Sequence, residues 1–243
     1  MLSKYFGVFL LLVLLAEILG TVGGFGSSVF FVPIANFFLD FQTVLGLTAL
    51  FHLSSNVVKI AFFKKGIDKQ VILYLGIPAV IFVIIGAYVS QFFNTKILTY
   101  FLGGFLIVLS LIFLIFKELI IKASNKNAIL GGVLSGFSAG LLGTGGAIRG
   151  ITLSAFKMNK EKFIATSAII DLGVDLSRSV VYYNNGYIQK DILYLIPILL
   201  VISVIGTYIG KKILNKISQD QFRNFVLILI LIIGISSFVS LWF

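Results

Sequence analysis

The sequence predicts an all-α integral membrane protein of about ten hydrophobic segments, laid out as two inverted five-segment repeats with short broken or re-entrant helices after glycine-rich breaks. Three observations predict it. Of the 243 residues 59% are hydrophobic and only 12% charged, with a mean hydropathy of +1.10, far from the composition of water-soluble domains. Apolar runs long enough to cross a bilayer alternate with short basic loops. The two halves of the chain also carry matching residues at a nearly constant offset.

Crossing the hydrocarbon core takes about 20 apolar residues in a helix. In order, the runs are 5–22, 25–39, 42–63, 69–92, 97–116, 127–142, 145–156, 161–183, 189–212 and 220–243. The first, with Lys4 ahead of an apolar stretch, has the outline of a signal peptide, but a matching segment recurs mid-chain, where no signal peptide stands. It therefore reads as a span. The second and seventh follow glycine-rich breaks and are too short for ordinary spans, so they are expected to meet their neighbours inside the membrane. The sixth carries Gly132, Gly136 and Gly140 at intervals of four, the close-packing face of a membrane helix. The eighth is the most polar, with Asp171, Asp175 and Arg178 on one face.

The duplication covers nearly the whole chain. Gly24-Phe25-Gly26-Ser27-Ser28 lies 119 residues before Gly143-Thr144-Gly145-Gly146-Ala147, and the same offset puts Asn56 and Lys59 on Asp175 and Arg178. One extra residue in the later Tyr183-Asn184-Asn185-Gly186 loop shifts Gly86 and Tyr88 onto Gly206 and Tyr208. The repeats are taken as 1–122 and 123–243. With five segments in each, an odd number, the second half enters from the opposite side of the membrane. Basic residues check this independently, because Lys and Arg accumulate in short cytoplasmic loops. Thirteen fall on one face (among them Lys64, Lys65, Lys69, Lys117, Lys162, Lys211 and Arg223) and three on the other, Lys4, Lys96 and Lys190. Both termini are then outside a multi-pass chain in a cell inner membrane or plasma membrane.

Broken helices in inverted repeats place free N–H groups and the positive ends of helix dipoles near the bilayer midplane. Gly24, Gly26, Ser27 and Ser28 form one such break, and Gly143, Gly145 and Gly146 the other. Glycine admits a ligand close to the backbone, and the serines either cap the helix or donate to an oxyanion. The glycines also suit tight turns and helix packing; their recurrence at equivalent positions favours an anion cradle. Ionisable groups inside a membrane cost at least about 2.5–3.5 kcal/mol each and persist where they pair or work. Six qualify: Glu17, Lys59, Arg149, Asp171, Asp175 and Arg178. Arg149, one turn past Gly145, suits an anion contact, snorkelling being the alternative. Asp175 and Arg178, with or without Asp171, form either a static ion pair or a site where a carboxylate takes a coupling ion and Arg178 meets the substrate. Lys59 is near enough to the Lys64–Lys65 boundary to snorkel. Glu17, beside the first break, is a candidate for proton coupling. His52 and Asn56 occupy the places that Asp171 and Asp175 hold in the second half.

The pattern from Gly24-Phe25-Gly26 to Pro33, with its echo Gly143-Thr144-Gly145-Gly146, resembles the sulfite exporter TauE/SafE family, also called the toluenesulfonate uptake permeases. The chain departs from it at Ser27, Ser28 and Ala147, where the family usually has glycine, and at Thr152, where a second proline would stand. The resemblance implies a secondary transporter that exports sulfite or a related small organosulfur anion by alternating access, driven by an ion gradient through protons or cations. Import of a sulfonate and a passive anion channel are the alternatives.

Other classes find little material. The chain has no cysteine and one histidine, so no metal site, cofactor or enzyme chemistry is expected. The net charge of +10 would suit nucleic acid in a soluble protein, but it resides in loops between apolar runs, and the partner it implies is the lipid bilayer.

Overall fold

A computed structural model describes residues 2–23, 26–63, 66–116, 121–214, 216 and 227–235. Among these the secondary structure is helical, with no strand. The helices are α1 (Phe6–Gly23), α2 (Ser28–Asn36), α3 (Phe41–Phe62), α4 (Lys69–Val71), α5 (Ile77–Ser90), α6 (Thr95–Ile115), α7 (Asn125–Leu142), α8 (Gly146–Ser154), α9 (Lys160–Asn184) and α10 (Leu195–Leu214), followed by a helical stretch at 227–235. Between α4 and α5 the chain forms a π-helical stretch, Ile72–Gly76, so that Lys69–Ser90 is one rod. Pro78 lies just beyond it; the missing N–H and the ring of a proline disturb the preceding turn, which is where such bulges form.

Side-chain caps set many of the starts. Asp40, Asp68, Asn94, Ser124 and Asn159 each accept from the backbone N–H three residues on, satisfying a donor that the first turn leaves free. Among the described residues five helices are long and apolar enough to cross a membrane: Phe6–Gly23, Phe41–Phe62, Lys69–Ser90, Thr95–Ile115 and Leu195–Leu214. They present Leu11, Ile81, Val108, Ile115 and Val201 outward, a coat of large apolar side chains suited to lipid. By contrast α7 is rich in glycine and serine, and α9 carries three charges, Asp171, Asp175 and Arg178, beyond those of its first turn. Each turns its small or polar face toward other helices and leaves an apolar face exposed, Leu130 and Leu134 on α7 and Leu176 and Val180 on α9. The tenth segment, 220–243, falls within the described residues only at 227–235, which packs on α6 through Gly234 and Ile107.

The centre of the molecule is the pair α3 and α9, which run antiparallel. Gly46 lies against Tyr187, Asn56 against Asp175, and Phe63 shares a cluster with Ile164 and Ala165. Around this pair the contacts repeat: α1 packs on α10 as α7 does on α5, and α10 packs on α3 as α5 does on α9. The short helices follow suit, α2 bridging α1 and α3, and α8 bridging α7 and α9.

Small residues permit the two closest pairings. A Cβ on Gly136 would fall 2.7 Å from Ala79 Cα, and Gly132 and Gly140 face Leu75 and Val83, so the glycine stripe of α7 is the seat of α5. On the other side Gly206 and Gly210 of α10 let α1 approach until an added Cβ would lie 2.8 Å from Glu17 and from Thr21. The stripe on α7 was legible in the sequence; its shorter counterpart on α10 was passed over.

The helix ends gather in two sets. At one end Lys162 pairs with Asp68 at 2.8 Å, Lys160 donates to Leu214 O, Lys211 donates to Phe62 O at 2.6 Å, and Gln70 donates to Asn125. At the other, Ser90 meets Tyr187 and Asn185 donates to Ala87 O. Lys69, Lys126, Lys160, Lys162, Lys211 and Lys212 belong to the first end, whereas Lys96 and Lys190 belong to the second. Of the remaining expected basic positions, Lys64, Lys65, Lys117 and Arg223 lie outside the described residues.

Candidate functional site

Both breaks are real interruptions of helix. The first places Gly26 at φ +80°, a left-handed conformation that glycine adopts at little cost, before α2 starts at Ser28. Gly24 lies outside the described residues. At Gly20 a side chain would collide with the backbone of Ser27, so α1 and the start of α2 touch directly. The second break puts Gly143 at φ +76° as the C-cap of α7, with Gly145 as the N-cap of α8 and Gly146 its first residue. The two short helices have nine residues each, about 13 Å of rise, less than half a bilayer core.

Neither serine caps α2. Ser27 Oγ instead donates to Glu17 Oε2 at 2.5 Å and lies 3.3 Å from His52 Nε2. Glu17 is fully buried and gathers four donors: Ser27, Ser55 at 2.6 Å, Thr207 at 3.1 Å and the Lys59 ammonium at 2.9 Å, with Thr21 at the margin of bonding distance. Lys59 also donates to Ser55 at 2.7 Å and is 5% exposed. Snorkelling therefore does not describe Lys59; a buried carboxylate holds it inward.

In the second half Asp175 and Arg178 form the expected ion pair, and Asp171 stands apart from it. Arg178 binds Asp175 through Nε at 2.8 Å and Nη2 at 2.6 Å, while its Nη1 donates to the carbonyls of Ala139 and Gly143, both at 2.9 Å. Those carbonyls lie at the end of α7, where a helix leaves acceptors without an intrahelical donor, and the Tyr182 hydroxyl also reaches Ala139 O at 3.3 Å. Asn56 completes the group by donating to Asp175 Oδ2 at 2.7 Å. Asp171 pairs instead with Arg149, whose Nη1 and Nη2 engage its two oxygens in a bidentate fork, and Arg149 Nε donates to Ser167 at 3.0 Å. Arg149 is 3% exposed, so it too is held inside. Its Nη2 comes within 3.6 Å of where a Cβ on Gly26 would be. The arginine of the second break thus lies against the glycine of the first.

Between the halves, at this point, is a cavity of about 20 Å³, room for roughly one water, bordered by Gly26, Asn56 and Lys59 on one side and Ser167, Ala168 and Asp171 on the other. Lys59 and Asp171 are the charged groups that line it, each paired away from it with Glu17 and Arg149, and with Asp175 and Arg178 the three pairs cancel in charge. Thr144, fully buried at the second break, has a hydroxyl with no hydrogen-bond partner among the described residues. Among those residues no group of His, Asp and Glu is arranged to hold a metal ion.

The structure brings Glu17, Ser27 and His52 together, and separately Arg149 with Asp171 and Asn56 with Asp175 and Arg178. Ser28 and Gly146 stand at the helix starts without a side-chain role. Ser55, Thr144, Ser167 and Thr207 were missed. Ser55 and Ser167 precede Lys59 and Asp171 by one helical turn, a spacing that could have flagged them. Thr207, far along the chain from Glu17, left no signal.

A family model described as sulfite exporter TauE/SafE matches residues 9–237. A curated protein of Methanocaldococcus jannaschii, described as a probable membrane transporter, is 28% identical over 236 residues, covering 85% of each chain. No solved structure matches.

Proposed function

The chain belongs to the sulfite exporter TauE/SafE family and is a multi-pass membrane transporter, and from that premise we propose that it exports sulfite or a related small organosulfur anion by alternating access. The observation that carries the reading is the meeting of the two breaks. Arg149, one turn into α8, lies against Gly26 at the start of α2, with a cavity between the halves beside them. A guanidinium next to helix N-termini favours an oxyanion through charge, dipole and free N–H groups together. Gly24, Gly26, Ser27, Ser28, Gly143, Gly145, Gly146 and Arg149 are the proposed substrate contacts, and the unpartnered Thr144 hydroxyl adds a donor at the second break. Arg178 holds the end of α7 and supports the site from behind.

The two repeats, 1–122 and 123–243, are inverted. Antiparallel α3 and α9, which the sequence alignment makes equivalent, support this, as does the exchange of contacts between the halves. Both termini face outward, a reading supported by the lysines gathered at the end where α4, α7 and α9 begin. A cavity the size of one water does not conduct, which favours a carrier whose halves move around the anion over an open pore. Glu17, Asp171 or Asp175 takes the coupling proton, with His52 beside them.

Substrate counterflow in proteoliposomes tests the proposal. Preloaded sulfite, thiosulfate or methanesulfonate is expected to drive saturable exchange with external labelled anion. Absence of exchange with all three would sink the substrate class, and single-channel currents would replace the carrier with a channel.

A further inference from the structure

The three buried ion pairs are not equally replaceable. Glu17 is held by Lys59 and three hydroxyls within 3.1 Å, so removing any one partner leaves the rest in place. Asp175 is bound by Arg178 and Asn56, and Arg178 in turn satisfies the last carbonyls of α7. Among the described residues Asp171 is hydrogen-bonded by Arg149 alone. It is also the most open of the three: its side chain is 14% exposed, against 0% for Glu17 and 2% for Asp175, and it borders the cavity.

Resting on the transport reading above, we infer that the substrate takes the place of Asp171 on Arg149, that Asp171 then takes up one proton, and that a singly charged anion and a proton move together. The guanidinium fork that binds two carboxylate oxygens side by side also fits two oxygens of a sulfonate or bisulfite. Arg178 and Lys59 are unsuited to this exchange, because their nitrogens are already committed to several groups each. Displaced from Arg149, Asp171 would be a charged carboxylate in a desolvated site without a partner, a state relieved most cheaply by a proton. The charged and titratable groups around it are Arg149 from α8, Lys59 and His52 from α3, and Asp175 and Arg178 from its own helix. With Glu17 balancing Lys59 and Asp175 balancing Arg178, the arrival of one negative charge leaves one in excess, and one proton on Asp171 restores neutrality. A doubly charged anion would leave a negative charge uncompensated. The site therefore favours monoanions such as bisulfite or methanesulfonate over a dianion such as thiosulfate, and translocation of monoanion plus proton carries no net charge.

Calorimetric titration of the full chain in lipid nanodiscs with methanesulfonate, in buffers of different ionisation enthalpy near neutral pH, counts the protons taken up. About one proton per anion is expected, with apparent affinity weakening about tenfold per pH unit, the slope that one linked proton gives. In Asp171→Asn the proton count should fall to zero and the pH dependence flatten. Binding by the native chain without proton uptake overturns the inference, and that result needs no variant to fold. Uptake that persists in Asp171→Asn overturns it as well and moves the proton to His52 or another carboxylate. If methanesulfonate, sulfite and thiosulfate all fail to bind, the small sulfur anion reading itself falls and takes this inference with it.

Discussion

A guanidinium inside a membrane is tolerated when its N–H groups find acceptors, and Arg149 and Arg178 meet that demand in opposite ways. Arg178 is fixed by Asp175 and by two main-chain carbonyls, so its loss strands both a carboxylate and a helix end. Arg178→Ala is expected to destabilise the fold by about 3–5 kcal/mol, the range for orphaning a buried charge, and Asp175→Asn in the same chain should recover part of it. Arg149→Ala leaves Asp171 at the edge of a cavity and should melt closer to the native temperature while losing most anion binding. Melting followed by circular dichroism, with methanesulfonate titration, separates the two; equal melting losses would erase the distinction. All six charged positions were legible in the sequence, because charge is costly in a bilayer and stands out against apolar runs. Of their pairing, only that of Asp175 with Arg178, one turn apart on one helix, was legible too. Asp171 finds Arg149 on another helix, and Glu17 finds Lys59 and Thr207 across three, through contacts that no spacing encodes.

At the scale of helices, what holds α5 to α7 is the absence of side chains. Gly136→Val would push a branched group into Ala79 and is expected to cost at least about 1–3 kcal/mol, the range for overpacking. Gly104→Val on α6, where nothing lies within 4 Å of the added Cβ, is the control and should melt as the native chain does. A second test concerns the loop before α4. Asp68 is held below its ordinary value of 3.8, chiefly by the hydrogen bond from Lys162. A depressed folded value stabilises above the unfolded one, so the tie between this loop and α9 is complete at neutral pH. It is lost as the pH falls below 3.8 through the depressed value. Asp68→Asn should melt lower at pH 7 and show less additional loss on acidification than the native chain; parallel acid profiles would refute the tie. The long elements and the two short ones followed from apolar periodicity and glycine, whereas the π-helical stretch at Ile72–Gly76 had only Pro78 to announce it.

For the whole molecule, the proposed inverted arrangement makes a prediction about sidedness. The chain has no cysteine, so single replacements report without interference. A membrane-impermeant maleimide applied to intact cells is expected to label Lys96→Cys and Lys190→Cys and to spare Lys126→Cys and Lys162→Cys until the cells are opened. Labelling of all four from one side would refute the inversion.

By itself the sequence determined membrane residence and the family, because the first is written in local composition and the second in motifs that lie along the chain. The tertiary structure decided which charge meets which. It set Arg149 against Gly26, gave Arg178 to the end of α7, and turned Lys59 inward to Glu17. Those outcomes depend on how antiparallel helices from the two halves come to face each other, and in a medium that cannot solvate charge, packing alone settles which partners are within reach.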